Sequence, residues 1–405
     1  LTTSRNLQDP ASPLAAARAY FPALDGLRAF AFLLVFATHY LDLPWGWTGV
    51  NIFFVLSGFL ITGILYDTRD QPHRVWNFYL RRTLRIFPLY YGVILLLVLL
   101  YPIFRWQWNG HWLIWPLYLG NLLRYLTPRN AAFTLLEFAQ PVGLAFPHVQ
   151  LSFGHFWTLC VEEQFYLVWP CIVFLVKDRR NLMRLCLAGI VVLPLLRIVL
   201  SHWLPQSTLD SAVLMTATPL PFDALLMGAM AALLCRSAAA GEVLRCARVV
   251  LIALSVVFAT WLGAYPTARH LTPAIPYPSG TFTWGLSLVD LYSVCLVLTA
   301  MDRSSFFFRL FNLRPLRWLG RISYGAYVFH DILHFQFLRL SQLHPSVGRW
   351  SIAALAFTTT LVAACASFRW FESPFIQLKD RWTRASSLRA EKIPEPVREV
   401  IQHVA

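Results

Sequence analysis

Apolar residues run along this chain in stretches long enough to cross a bilayer, separated by short clusters of basic and turn-forming residues. Runs at 24–43, 47–66, 84–104, 155–176, 184–203, 213–235, 248–265, 281–301, 320–340 and 351–371 each approach the roughly 17 to 25 residues that a transmembrane helix needs. The pattern predicts an all-α protein, a polytopic integral membrane helical bundle of about ten transmembrane helices. An eleventh run, HWLIWPLYLGNLLRYLT at 111–127, is interrupted by Pro116 and Gly120. It reads as a span, a re-entrant hairpin or an interfacial helix.

Composition agrees with a lipid-solvated chain. Hydrophobic residues make up 57% and charged residues 13% of the 405 positions, too little polar material to cover two or three soluble domains. Mean hydropathy is +0.54. Sixteen tryptophans and fifteen tyrosines suit the two interfaces where hydrocarbon meets water.

The net charge of +14 falls in clusters between the apolar runs, which marks orientation in a membrane and excludes nucleic acid as the expected partner. With ten spans and a cytoplasmic N-terminus, the basic segments Arg69–Arg85, Lys177–Arg184, Arg236–Arg248, Arg303–Arg321 and Lys379–Arg398 all fall inside. Counting 111–127 as a further span would put Lys177, Arg179 and Arg180 outside. The expectation is therefore a multi-pass protein of a cell (inner) membrane with both termini cytoplasmic. Its parts are a cytoplasmic segment 1–19, a membrane domain 20–375 and a basic cytoplasmic tail 376–405, with 103–154 dipping into the far interface. Residues 1–20 show no apolar core ahead of a small-residue cleavage site, so the first helix is expected to direct insertion. The seven cysteines lack C-x-x-C spacing and read as small buried hydrophobes, with no metal site expected.

Ionisable groups inside apolar spans cost several kcal/mol by insertion scales, about 2.5 to 3.5 each, and so mark sites or paired structural contacts. In FPALDGLRAFAFLLVFATHY, Arg28 and His39 stand about 16 Å apart along one helix face, pointing into one cavity at two depths. Asp25 lies one turn before Arg28 and can pair with it. A structural ion pair and an interface histidine account for the same residues equally well. Arg82 and Arg85 share a helix face, where two guanidinium forks suit phosphate, although anchoring by positive residues explains them too.

In GHFWTLCVEEQFYLVWP, His155, Thr158 and Glu162 line one stripe, while Glu163 points about 100° away. Tyr166 follows in the same block. In GRISYGAYVFHDILHF, Ser323, Tyr327 and His330 share a face, with Tyr324 beside them. These, together with Ser57, Gly58 and Asp223, also fit simple helix-to-helix contact.

Acyl transfer from a thioester to a hydroxyl needs a base near neutrality and stabilisation of an oxyanion. His39 supplies the base, Glu162 a group to orient it or accept a proton, and the arginines a grip on a polyanionic carrier such as coenzyme A. No phosphate-binding loop and no H-E-x-x-H motif is present.

Several ordered blocks carry a family resemblance: LDGLRAFAFLLVFATH with Arg28-x10-His39, GVNIFFVLSGFLIT, RRTLRIFPLYY with Arg82-x-x-Arg85, HFWTLCVEEQFYLVWP, FDALLMG, GRISYGAYVFH and RWFESPF. Over residues 20–375 the chain resembles the acyltransferase 3 family of multi-pass membrane O-acyltransferases. The resemblance implies that His39, Arg28 and Glu162 belong to the catalytic centre and that Arg82 and Arg85 hold acyl-CoA. Asp25, His155, Glu163, Tyr166, Asp223, Ser323, Tyr324 and His330 are the secondary candidates. It implies an acyl, above all acetyl, donor such as acetyl-CoA, no metal, and a carbohydrate or lipid-linked saccharide acceptor. Thr158 and Cys160 stand where serines are usual, and Pro221 where an arginine is common. No hydrolase-like domain follows the membrane part, which is expected to set this chain apart from relatives that pass the acyl group to a fused partner.

A proton-coupled transporter or flippase of glycolipid or saccharide is the competing expectation, because intramembrane Arg, His and Glu also line ion pathways. No inverted repeat is visible to favour it.

Overall fold

A computed structural model describes residues 21–104, 114–122, 137–138, 151–203, 213–263 and 280–387. The expected terminal segments lie wholly or partly outside these residues. Helices dominate, because in hydrocarbon each backbone N–H and C=O must be satisfied within its own segment. Helix α1, Pro22–Leu41, opens on a proline at its first turn and closes on Asp42 in the left-handed conformation. It is followed by α2 (Thr48–Thr68), α3 (Arg74–Phe104), α4 (Trp157–Leu175), α5 (Arg179–Trp203), α6 (Phe222–Leu234) and α7 (Ala240–Gly263). A π turn at Thr281–Gly285 leads into α8 (Leu286–Met301). Short helices α9 (Phe306–Phe311), α10 (Arg314–Arg321), α11 (Ser323–His330) and α12 (His334–Leu343) precede α13 (Arg349–Ala366). A second π turn, Ser367–Glu372, joins α13 to α14 (Ser373–Ser387), so helix continues into the segment expected as a tail. The strand pair among the described residues is Glu137–Phe138 against Leu151–Ser152, antiparallel.

Among the described residues, eight helices are long and apolar enough to cross a membrane. The expected count of about ten is not reached, for two physical reasons. Only 13 residues of the run 213–235 form helix α6, which starts after Pro219 and Pro221. The run 320–340 is broken between α11 and α12, where the Ile332 carbonyl accepts from the Ser152 backbone N–H instead of continuing a helix. A break of this kind is tolerated at membrane depth when protein supplies the missing partner.

The described part of 111–127 is not a continuous helix. Residues 114–118 form turns and Gly120–Leu122 a single 3-10 turn. Tyr90 and Tyr91 of α3 donate to the Trp115 and Pro116 carbonyls, and Gln164 of α4 donates to the Tyr118 carbonyl. This segment is stapled to the bundle by side chains.

Burial separates centre from rim. The apolar stretches of α2 and α8 are 72% and 67% buried, whereas those of α5 and α7 are 17% and 11% buried. Leu187, Val191 and Leu195 of α5 and Val249, Ile252 and Val256 of α7 form outward apolar stripes, the surface that lipid covers. At the centre α2 and α6 touch backbone to backbone. A Cβ on Gly58 would stand 1.9 Å from the Leu225 carbonyl oxygen, and one on Gly228 would stand 2.1 Å from that of Val55. Small residues permit that approach, which dispersion then stabilises.

Basic segments meet at one end of the bundle. Arg69 reaches the Lys177 carbonyl, Arg179 the Arg236 carbonyl, Arg236 pairs with Asp67 at 2.6 Å, and Arg248 pairs with Asp302 at 2.7 Å. At the opposite end, Arg349 pairs with Asp42 at 2.6 Å. Three of the five basic clusters therefore meet on one side, and a fourth starts beside Asp302 there, as their charge predicted.

Candidate active site

Three arginines from two helices open onto one cavity. Arg28 comes from α1, and Arg82 and Arg85 from the same face of α3. Arg28 is oriented by Asp25, 2.7 Å away and one turn earlier on the same helix. Arg82 lies over the Tyr166 ring at 5.3 Å, a cation–π contact that holds the guanidinium at the cavity wall. Opposite them is Glu162, which accepts from Ser57 at 2.5 Å. Arg28 and Arg82 repel the Arg85 guanidinium, and Asp25 and Glu372 attract it. The cavity is thus rich in fixed positive charge, walled elsewhere by Phe53, Phe54, Ile86 and Leu159. Such a chamber suits a ligand that is anionic at one end and apolar at the other.

A second group of polar side chains lies beyond it. Asp331, 3% exposed, follows the end of α11. Its Oδ1 is 3.3 Å from His39 Nδ1, and its Oδ2 accepts from Ser152 Oγ at 2.5 Å and from His155 Nδ1 at 3.2 Å. Fully buried His330 packs edge-on to both imidazoles, with ring centres 5.2 Å from His39 and 5.0 Å from His155. A carboxylate can only accept, so a proton on His39 Nδ1 is the one Asp331 favours, and it leaves Nε2 with its lone pair. That is the tautomer a general base requires.

Two hydroxyls divide the chambers. Thr158 Oγ1 and Tyr327 OH are 2.8 Å apart, and both line the arginine cavity. Both also lie within hydrogen-bond distance of the His155 carbonyl, at 3.0 and 3.1 Å, so that one hydroxyl donates to that carbonyl while the other donates to its partner, and the Tyr327 ring is 5.2 Å from that of His330. The same two residues thus touch both the cavity and the histidine cluster.

The arrangement redistributes the residues singled out in the sequence. Arg28, Arg82, Arg85, Glu162, Tyr166, Ser323 and Tyr324 come together in the cavity, as do Ser57 and Thr158. Tyr324 donates to the Ile86 carbonyl at 2.7 Å and fixes α11 against α3. Arg28 and His39 do not share one cavity: eleven residues of α1 carry His39 past the partition into the histidine cluster. The carboxylate beside His39 is Asp331, and Glu162 contacts Ser57 instead. Likewise His155 belongs with Asp331, while Glu162 on the same stripe faces the arginines. The Glu163 Oε1 atom is buried without a hydrogen-bond partner among the described residues.

Asp223 is elsewhere. It forms a bidentate pair with Arg197 at 2.8 and 2.5 Å, both side chains fully buried, with Ser287 and the Leu220 carbonyl completing the guanidinium. Nearby, Asp290 accepts from Asn51 at 2.6 Å. This is a structural lock between α5, α6 and α8. All seven cysteines are free, and Cys171 and Cys246 are exposed on the outer surface rather than buried.

Sequence reading missed Asp331, Ser152, His334 and Arg197. The signal for Asp331 was present, a charged residue inside an apolar run directly after His330, and the run of three histidines and an aspartate at 330–344 is visible in retrospect. Nothing local points from Ser152 to Asp331.

The profile of a family described as an acyltransferase domain matches residues 21–369. Among curated proteins, the chain is 30% identical over 386 residues to the peptidoglycan O-acetyltransferase OatA of Listeria monocytogenes, covering 88% of this chain and 56% of that protein. It is 29% identical to the putative peptidoglycan O-acetyltransferase YrhL of Bacillus subtilis, covering 88% and 55%. With the O-acetyltransferase OatA of Staphylococcus aureus it shares 26% identity, covering 77% and 50%. The chain spans about half the length of these relatives. No solved structure matches.

Proposed function

The chain belongs to the acyltransferase 3 family, and from that membership we propose that it moves an acyl group, in the first instance acetyl, from acyl-CoA to a hydroxyl of a cell-envelope carbohydrate or lipid-linked saccharide. The observation that carries this reading is the adjacency of a cationic cavity and a His–Asp cluster, joined by Thr158 and Tyr327, which line the cavity and reach the His155 carbonyl. The named relatives are O-acetyltransferases, two of them of peptidoglycan, which supports a saccharide acceptor.

In this reading the basic end of the bundle faces the cytoplasm of a bacterial inner membrane, and the donor enters there. Arg28, Arg82 and Arg85 grip its phosphates, since guanidinium forks bind phosphate oxygens bidentately. The apolar wall takes the pantetheine arm and presents the thioester to Thr158 and Tyr327. The acceptor hydroxyl reaches His39 from the opposite end, where its side chain is 31% exposed. His39 Nε2 removes the hydroxyl proton as oxygen attacks the thioester carbonyl, and Asp331 stabilises the imidazolium that forms. When the tetrahedral intermediate collapses, the C–S bond breaks and the His39 proton passes to the departing thiolate. The Thr158 and Tyr327 hydroxyls are the donors nearest the oxyanion.

Reconstitution tests this. The chain, in vesicles loaded with acetyl-CoA labelled in the acetyl group, is expected to release free thiol and label an added lipid-linked saccharide in equal amounts. His39→Ala should abolish both while inserting normally. Saccharide translocation without thiol release would replace the transferase with a flippase.

A further inference from the structure

His39 and Asp331 have a third neighbour that the proposed chemistry leaves unused. One ligand-capable atom from each of His39, Asp331 and His334 lies within 4.8 Å of the other two. The His334 ring centre is 5.4 Å from that of His39, and its Nδ1 is buried without a hydrogen-bond partner among the described residues. The Nε2 atom of fully buried His330, beside them, has no partner either. Buried polar atoms of this kind demand an explanation, and an ion is one.

The carboxylate is already prepared. Ser152 and His155 both occupy Asp331 Oδ2, which turns Oδ1 towards His39 at 3.3 Å, longer than a good N–H···O bond. In metal sites the same division recurs, with one oxygen ligating and the other held by outer partners. A separation near 3.3 Å is also close to the spacing of two ligand atoms about 2.0 to 2.1 Å from a tetrahedral zinc ion.

We infer that His39, Asp331 and His334 form a binding site for a divalent transition metal, and that its occupant silences the base. Two imidazoles and one carboxylate suit zinc, copper or nickel and disfavour magnesium and calcium. Three protein ligands leave a fourth position for water. When the cation takes the Nδ1 lone pair of His39, the Nδ1 proton leaves to solvent and Nε2 takes one up from solvent, so the neutral ring carries its single proton on Nε2. That tautomer donates where the transferase needs an acceptor, so metal and acceptor activation exclude one another. The regulatory consequence rests on His39 acting as base; the binding site does not.

The test uses the full chain in detergent without a histidine tag, titrated with zinc by calorimetry and with cobalt by visible absorption. One metal per chain is expected, with the strong absorption of tetrahedral cobalt. Acetyl transfer should fall in proportion to occupancy and return on chelation. His334→Ala should weaken zinc at least about tenfold and remove inhibition while leaving metal-free transfer unchanged, and Ser152→Ala should weaken zinc by about 10- to 100-fold through the carboxylate it holds. Absence of stoichiometric binding, or binding and inhibition that persist in His334→Ala, overturns the inference. Metal bound at these residues in a chain that transfers nothing from any acyl donor would uphold the site and defeat the transferase reading instead.

Discussion

Asp331 faces His39 with one oxygen and His155 with the other, at 3.3 and 3.2 Å, so that two imidazoles, one from α1 and one from the turn ahead of α4, share one buried carboxylate. The pair that orients the base is therefore formed by α1 and the break after α11. Asp331→Asn preserves shape but removes the charge that stabilises a protonated His39. Turnover is expected to fall by about 10²- to 10⁴-fold, the range of a general acid–base contribution, with KM for the donor unchanged. Initial rates of thiol release over a donor series check this; a parallel rise in KM would place Asp331 in donor binding instead.

The donor side is predicted to respond in the opposite way. Arg85 lies in a cavity with Arg28 and Arg82, and hydrogen bonds to charged groups are worth about 1.5 to 3 kcal/mol each. Arg85→Ala should raise KM for acetyl-CoA by roughly tenfold to more than a hundredfold while turnover at saturation changes little. Arg85→Lys should recover part of the loss, because an ammonium keeps the charge without the fork. Unchanged donor affinity in both variants would remove Arg85 from phosphate recognition.

Much of this architecture was legible in the sequence, and the remainder was hidden for definable reasons. Long apolar runs located all eight long helices, and basic clusters identified a common end, since lipid and charge act on each segment locally. The shortened α6 and the gap between α11 and α12 escaped, because hydropathy cannot tell a continuous helix from one broken where a neighbour satisfies the backbone. Helix periodicity placed Arg82 beside Arg85 correctly. It failed for Arg28 and His39, because sharing a face does not mean sharing a chamber when Tyr327 and Thr158 intervene from other helices. Contacts made across the whole chain, such as Asp331 with Ser152, leave no local pattern to read.

Arg197 and Asp223 lie apart from the arginine cavity, and their prediction concerns stability. Both side chains are fully buried, and Arg197→Ala would leave Asp223 without its countercharge close to Asp290. Breaking a buried pair from one side costs about 3 to 5 kcal/mol. The variant should lose thermal stability in detergent and fall in membrane abundance, yet retain a normal donor KM in whatever folded protein remains. A changed KM at normal abundance would instead join this lock to the donor site.

The Thr158–Tyr327 hydroxyl pair, 2.8 Å apart, stands between the donor cavity and the histidine cluster. Tyr327→Phe keeps the ring between His155 and His330 but removes the hydroxyl that bonds Thr158 and the His155 carbonyl. Each bond of this kind contributes about 0.5 to 1.5 kcal/mol, so the partition should open several times more often. Water, which is small and present at high concentration, then competes with the acceptor for the thioester. Thiol release should outpace saccharide labelling, by roughly two- to tenfold on that energy scale, whereas in the unaltered chain the two are equal. Parallel assays of free thiol and labelled saccharide measure the ratio directly. Rates that stay equal while both decline would limit the Tyr327 hydroxyl to its role at the oxyanion and leave the seal to the ring alone.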